Sequence, residues 1–444
     1  MAIIDFMHLP YAVWPAQSGL VTAVLDAPPP VGYRTGEAGY RRVTAALFAA
    51  GLATFMLLYN TQALLPEIAA TFHVSAAQST LTLSLTTVGL GVALLVAGTA
   101  SEVLGRTRLI LLSLVASGLI TFACAVAPGW PALLTLRLLL GITLAGLPAV
   151  ATAYLREELH TDTQARAAGL YIGGTALGGM TGRLVTGLVA DVADWRWALA
   201  ATAAIGLVCA AVVRLTLPPS RNFVAAPAHL RHLVTLARGP LTDRALIAMS
   251  AIGACTMGAF VAVYNVTGFR LTAAPFGLSV GAAGLVFLAY PVGAVASTVA
   301  GRLVDRYGRR TVAPIGCLVA IAGALVTLPD SLPVVVLGLA VLAVGFFTVH
   351  GVVSGWVPAR AYAGGVAAGQ AAASYLFCYY LGASVFGSLA GHAWTAGGWP
   401  AVVALAVVLL VVAGLLAAWL RRTRPLDPAR DRSTTVTVKG SRNR

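Results

Sequence analysis

Two arginines and a histidine stand inside long apolar stretches of this sequence, where an ionisable group is costly and usually functional. Arg137 falls in Leu136-Arg137-Leu-Leu-Leu-Gly141, Arg183 follows Gly178-Gly-Met-Thr-Gly182, and His350 lies beside Thr348, Gly351 and Ser354. At helical rise Arg137 is about 10 Å, and Arg183 about 12 Å, from the same end of two consecutive antiparallel spans. Two readings of this pair stand. In one, the guanidiniums bond helix ends or reach Glu67 or Asp191, and brace a bundle. In the other, at least one lines a central cavity and attracts a carboxylate, a phosphate or another electron-rich group. His350 is the mid-span candidate for titration near neutral pH, although a histidine among small residues also serves as a plain helix contact. Every Asp and Glu falls at a span end, in a loop or in a tail. That argues against a dedicated site for large organic cations, and it removes the carboxylate that commonly carries a coupled proton.

Neutral polar residues complete the candidate cavity. Tyr59, Asn60 and Gln62 lie together, Tyr264 and Asn265 repeat the pattern, and Gln370, Ser374 and Tyr375 form a third group. Tyrosine rings stack while amides hydrogen-bond, a combination suited to hydroxyl-rich or mixed-polarity ligands. Tyrosines are equally ordinary at helix contacts, so the cavity reading and the packing reading both remain.

The elements that position these residues follow from composition. Hydrophobic residues make up 59% of the 444 residues and charged residues 10%, against roughly a quarter charged in a soluble domain. Apolar stretches long enough to cross a bilayer as helix lie near 43–65, 78–100, 108–127, 131–155, 167–190 and 196–216. Six more lie near 245–268, 281–301, 312–329, 333–357, 365–390 and 399–420. The second six repeat the first. Phe55…Tyr59-Asn60 returns as Phe260…Tyr264-Asn265 after 205 positions, and Gly98…Gly105-Arg106 as Gly301…Gly308-Arg309 after 203. Gly178 and Trp195 return as Gly382 and Trp399 after 204. Internal duplication of this kind builds secondary transporters.

The expectation is an all-α membrane protein of twelve helices in two pseudo-symmetric six-helix bundles. The divisions are a flexible N-terminal tail (1–40), a first bundle (41–216), a central loop (217–243), a second bundle (244–420) and a basic C-terminal tail (421–444). The formal charge of +14 invites a nucleic-acid reading, but its placement decides otherwise. Odd-numbered loops carry only Arg196 and Arg270, while even-numbered loops and both ends carry nearly all the rest. This is the positive-inside pattern, with both termini cytoplasmic. The five cysteines lie within apolar spans without metal-ligand spacing, as small packing residues do.

The loop Gly301-Arg-Leu-Val-Asp305-Arg306-Tyr-Gly308-Arg309-Arg310 carries the most specific signal. It resembles the loop signature of the major facilitator superfamily at every defining position. Gly98…Glu102…Gly105-Arg106 is a degenerate first copy, with Glu102 where Asp is usual and Val103 where Arg is usual. Arg137 resembles the fourth-helix arginine of that family. The glycines from Gly173 to Gly182 resemble its exporter-associated fifth-helix motif, with Gly179 in place of the usual proline. Ala168-Gly-Leu-Tyr171, Asp194-Trp-Arg-Trp and Tyr375-Leu-Phe-Cys-Tyr379 resemble a bacterial inner-membrane branch loosely labelled arabinose-efflux-like.

The resemblance implies a latch on the cytoplasmic side made by Gly98, Glu102, Gly105, Arg106, Gly301, Asp305, Arg306, Gly308 and Arg309. It also implies that the first and seventh helices face each other across a cavity. The function expected is alternating-access secondary transport: proton-coupled export of a small polar metabolite, sugar or drug-like compound across a bacterial inner membrane. Proton-coupled uptake of a sugar or organic anion, and a non-transporting sensor of the same fold, are the alternatives. An intramembrane hydrolase at His350 and Ser354 lacks nucleophile-elbow spacing. The partners expected are a small-molecule substrate, protons and the bilayer, for a monomer without nucleic acid, cofactor or metal.

Overall fold

The computed structural model describes residues 32–223 and 239–423. The first half contains α1 (Ala38–Tyr59), α2 (Ala76–Leu104), α3 (Arg106–Ala125), α4 (Trp130–Glu158), α5 (Thr161–Val192) and α6 (Trp195–Thr216). The second contains α7 (Arg244–Thr272), α8 (Val280–Tyr307), α9 (Arg309–Val326) and α10 (Leu332–Ala363). The final helical run, Ala368–Leu420, breaks at Gly397 and Gly398, whose backbones leave the helical region. It thus comprises α11 (368–396) and α12 (399–420). Ten helical runs are long and apolar enough to cross a membrane; glycine-rich α5 and the division of the last run bring the helices to twelve. Among the described residues the β pairing is one isolated bridge, Tyr33 with Leu159.

Twelve antiparallel spans put residues 38 and 420 at one face, here the terminal face, and the odd-numbered loops at the far face. Span one, read from sequence as continuing to residue 65, ends at Tyr59. The chain turns through Asn60–Leu64, and a short helix, Leu65–Phe72, starts with Pro66 in its first turn, where the missing proline N–H costs nothing. Gly105 alone joins α2 to α3 at φ +85°, and Gly308 alone joins α8 to α9 at φ +80°. Only glycine adopts that backbone freely, which explains why the repeated loops keep it.

The duplication is also one of packing. A Cβ on Gly178 would lie 2.2 Å from the carbonyl oxygen of Leu52, and one on Gly382 would lie 2.2 Å from that of Ala254. Bare glycine therefore lets α5 close onto α1 and α11 onto α7, as small residues do between membrane helices. The repeated tryptophans both donate to a threonine, though not to equivalent ones: Trp195 Nε1 to Thr71 Oγ1 and Trp399 Nε1 to Thr327 Oγ1, each at 3.1 Å. Each half also caps the C-terminus of its third helix with an arginine. Arg196 donates to the carbonyls of Ala125 and Ala127, and Arg270 to those of Thr327, Leu328 and Pro329, where the helix dipole favours a cation.

Residues 1–31 of the N-terminal tail, 224–238 of the central loop and 424–444 of the C-terminal tail lie outside the described residues. The end of the N-terminal segment is held in place. Tyr33 N–H donates to the carbonyl of Glu158 at 2.9 Å, and its ring lies 4.0 Å from the Arg221 guanidinium.

Candidate functional site

Among the described residues three polar clasps join the two halves in the far-face half of the helices. At the edge, Asp191 on α5 accepts from Ser279 Oγ at 2.6 Å and from the N–H of Gly281 at 2.8 Å. A carboxylate thus caps the first turn of α8. Opposite, Ser384 Oγ donates to the carbonyl of Ser84 at 2.7 Å, and Ser84 Oγ to that of Ser384 at 3.0 Å. Thr87 and Ser388 join this α2–α11 cluster. Centrally, Gln62 Nε2 donates to Asn265 Oδ1 at 2.6 Å, and Asn265 Nδ2 to the carbonyl of Gly387 at 3.4 Å.

Toward the terminal face the ion pairs Arg106–Glu102, Arg106–Glu157, Arg221–Glu158 and Arg360–Asp243 each stay within one half. A Cβ on Gly98, Gly169, Gly173, Gly301, Gly355 or Gly369 would meet nothing within 4 Å. These glycines belong to the terminal-side parts of α2, α5, α8, α10 and α11. Arg106 pairs with Glu102 at 2.7 Å and Glu157 at 3.0 Å and also donates to Ser101, all within the first half. Asp305, Arg306 and Gly308 are exposed, and Arg309 is partly buried.

Arg183 sits under the central clasp, 1% exposed. Its Nε donates to Gln62 Oε1 at 2.5 Å and its Nη1 to the carbonyl of Gly179 at 2.6 Å. Three rings surround the guanidinium: Tyr59 at 4.3 Å from the first half, and Phe287 and Tyr290 at 5.1 Å from the second. Ring faces attract a cation electrostatically. Neither Arg183 nor Arg137 has an ion-paired carboxylate among the described residues.

Arg137 has a different environment. It is 0% exposed, and it donates to Asn60 Oδ1 (2.9 Å), Thr61 Oγ1 (3.2 Å) and the carbonyls of Thr82 (2.8 Å) and Leu58 (3.2 Å). All four partners belong to the first half, and the Leu58 carbonyl lies at the C-terminal end of α1, where a cation is favoured. Asn60 in turn donates to Thr202 at 3.1 Å. Arg137 and Asn60, both expected as cavity candidates, thus direct these bonds into the first bundle. Neither arginine reaches Glu67 or Asp191. Glu67 Oε1 instead accepts from the N–H of Trp195 at 3.0 Å; burial holds its carboxyl above the usual range despite that bond.

In the second half, rings converge on the same level. Tyr290 packs on Phe347 at 5.1 Å, His350 on Tyr379 at 4.7 Å, and Tyr379 on Tyr380 at 5.1 Å. His350 Nδ1 is 3.1 Å from the Tyr375 hydroxyl. Tyr264, the repeat partner of Tyr59, turns into its own bundle and donates to the carbonyl of Leu339 at 3.2 Å. Gln370 lies in the first turn of α11 at the terminal face, away from this centre. The structure thus unites Tyr59, Gln62, Arg183 and Asn265, places His350 and Tyr375 as a second pair, and separates Arg137, Asn60 and Gln370 from them, while Tyr264 packs at 5.7 Å on the Phe287 ring beside Arg183. Sequence reasoning did not identify the clasps at Ser84–Ser384 and Asp191–Ser279, since isolated hydroxyls in apolar helices carry no distinguishing spacing.

The Major Facilitator Superfamily model matches residues 47–289 and 269–442. The uncharacterized MFS-type transporter YybF of Bacillus subtilis (strain 168) is 38% identical over 398 residues, covering 90% of this chain and 98% of its own length. The inner membrane transport protein YnfM of Escherichia coli (strain K12) is 38% identical over 389 residues, covering 88% and 93%. Among solved structures, a bacterial homologue of the human lysosomal transporter Spinster, inward-facing and unoccupied, superposes with a TM-score of 0.70 at 18% identity, covering 87% and 98%. The nucleoside transporter NupG superposes with a TM-score of 0.67 at 16% identity, covering 86% and 100%. With both halves matched and relatives aligned over nearly their whole length, the chain belongs to the Major Facilitator Superfamily, as a multi-pass membrane protein and secondary transporter.

Proposed function

We propose that the chain exports a small anionic or otherwise electron-rich molecule in exchange for protons, loading it from the terminal face, read as cytoplasmic, and releasing it at the far face. The observation that carries this reading is the Arg183 guanidinium, buried at the boundary between the halves. Rings from both halves and amide oxygens from the first surround it, and no carboxylate is ion-paired to it among the described residues. Opening the far face draws α8 away from α5. Arg183 then loses Phe287 and Tyr290, and an electron-rich substrate group replaces them. Tyr59, Tyr290, Tyr379 and His350 form the surface on which the ligand rests, and the tyrosine rings suit a sugar-like or flat scaffold. The loops Glu102–Arg106 and Asp305–Arg309 latch the terminal face when it closes.

His350 is the coupling group in this reading. Carboxylates among the described residues stand at helix ends or in loops, which leaves the His350–Tyr375 pair as the mid-membrane site for an exchangeable proton. The direction rests on the resemblance of α5 to the glycine-rich helix of exporters.

The test is proton movement in everted vesicles, with organic anions, sugars and cationic drugs added in parallel. Anions or sugars should move protons. Arg183→Ala should lower the affinity of the responding substrate at least tenfold, and Arg183→Lys should restore part of it. His350→Gln should abolish proton movement while downhill substrate flux persists. A response confined to cations, or unchanged affinity in Arg183→Ala, would refute the substrate assignment. Accumulation only in right-side-out vesicles would replace export by uptake.

A further inference from the structure

The terminal face of the second half carries a basic pocket remote from the central rings. It encloses about 600 Å³, lined among others by Tyr307, Arg309, Arg310, Trp356, Arg360 and Arg421. Arg310 donates to the carbonyls of Arg421 at 3.1 Å and Thr423 at 2.7 Å, so it fixes the end of α12 as one wall. Arg360 Nε holds Asp243 Oδ2 at 2.7 Å, and Asp305 precedes Arg309 by four residues, across the Gly308 turn. Among the described residues four guanidiniums line the pocket and two carboxylates stand near it, an excess of positive charge.

A second cavity neighbours the first, and Tyr307 lines both. It is an apolar groove of about 480 Å³ between α8, α9 and α10, lined by Val295, Ala296, Val299, Leu303 and Ile315 among others. Val295, Val299, Leu303 and Ile315 are all exposed. In a membrane-spanning chain a groove at this level is filled by hydrocarbon.

We propose that pocket and groove together bind one anionic phospholipid, with its phosphate among the guanidiniums and an acyl chain along the groove. Arginine forks match phosphate oxygens in pairs, and basic pockets between membrane helices bind anionic headgroups. A soluble anion would use the pocket and gain nothing from the groove. A neutral lipid would use the groove and leave the excess charge unanswered. The neighbouring pair of cavities, one basic and one apolar, suits a molecule with a charged head and an apolar tail. Because Arg309 belongs to the Asp305–Arg309 loop, bound lipid ties that loop to the membrane surface.

Native mass spectrometry of the full chain in detergent tests the site, using phosphatidylglycerol, phosphatidylcholine and inorganic phosphate. Phosphatidylglycerol should be retained about tenfold more strongly than phosphatidylcholine. Arg421→Gln should weaken phosphatidylglycerol about fivefold, the worth of one arginine near an anionic headgroup, and leave phosphatidylcholine unchanged. Ala296→Phe, which fills the groove, should weaken phosphatidylglycerol by a similar factor. Equal retention of the two lipids overturns the proposal, as does phosphatidylglycerol binding that ignores either variant. Displacement by inorganic phosphate at equal concentration would make this a soluble-anion site and overturn it too. Each variant is read separately, so misfolding of one leaves the other to decide.

Discussion

Arg137 and Arg183 have the same chemistry at nearly the same depth, yet their surroundings give them different work. Arg137 spends its donors on four oxygens of one bundle, two of them backbone carbonyls. Replacing it with methionine strands those acceptors and removes charge-assisted bonds, each worth about 1.5–3 kcal/mol. Arg137→Met should therefore lower the melting temperature in detergent markedly, while ligand preference in the surviving protein stays unchanged. A changed preference with normal stability would return Arg137 to the cavity. Depth was legible in sequence because helical rise is constant. The choice between bracing and cavity was not, because it depends on which way the side chain points around the helix, and that follows from what packs beside it.

At the scale of elements, glycine spacing decides how closely helices approach. Gly174, Gly178 and Gly182 would place a Cβ 2.5, 2.2 and 2.5 Å from the carbonyl oxygens of Phe48, Leu52 and Met56. Four-residue spacing therefore builds one smooth strip on α5 against α1, and Gly382 opens the equivalent approach of α11 to α7. Gly178→Leu and Gly382→Leu should each abolish a monodisperse folded peak in size-exclusion chromatography. Gly98→Ala, where a Cβ meets open space, should leave that peak unchanged. The repeat made this correspondence readable, since both glycines recur at one offset. The end of α1 was harder to place, because Ala63 and Leu64 continue the apolar run after the helix has stopped. Pro66 and the Arg137 contacts, rather than hydropathy, locate the break.

For the whole molecule, three clasps close the far face while the terminal-side glycines look into open space. Alternating access requires those clasps to break together. A disulfide between Ser84→Cys and Ser384→Cys, with the five native cysteines replaced, should hold this state. Oxidation should stop transport, reduction should restore it, and a thiol reagent should keep reaching cavity cysteines from the terminal face alone. Transport that survives complete crosslinking would show that the α2–α11 contact does not open in the cycle. Asp243, at the terminal face, shows the same economy in a static contact. Burial pushes its carboxyl up, but the Arg360 guanidinium and the N–H of Ala245 outweigh that and hold it below the usual carboxylate range.

The sequence by itself determined the solvent, the number of spans, the twofold repeat and the glycine turns at 105 and 308. These follow from composition, helical rise and backbone conformation, which are local properties. Only the tertiary structure decided that Gln62 meets Asn265 across the halves, that Asn60 turns inward to Arg137, and that Tyr264 does not mirror Tyr59. The halves share a pattern, but each interface selects the rotamers that satisfy its buried polar atoms. That selection depends on neighbours 75 to 203 residues away.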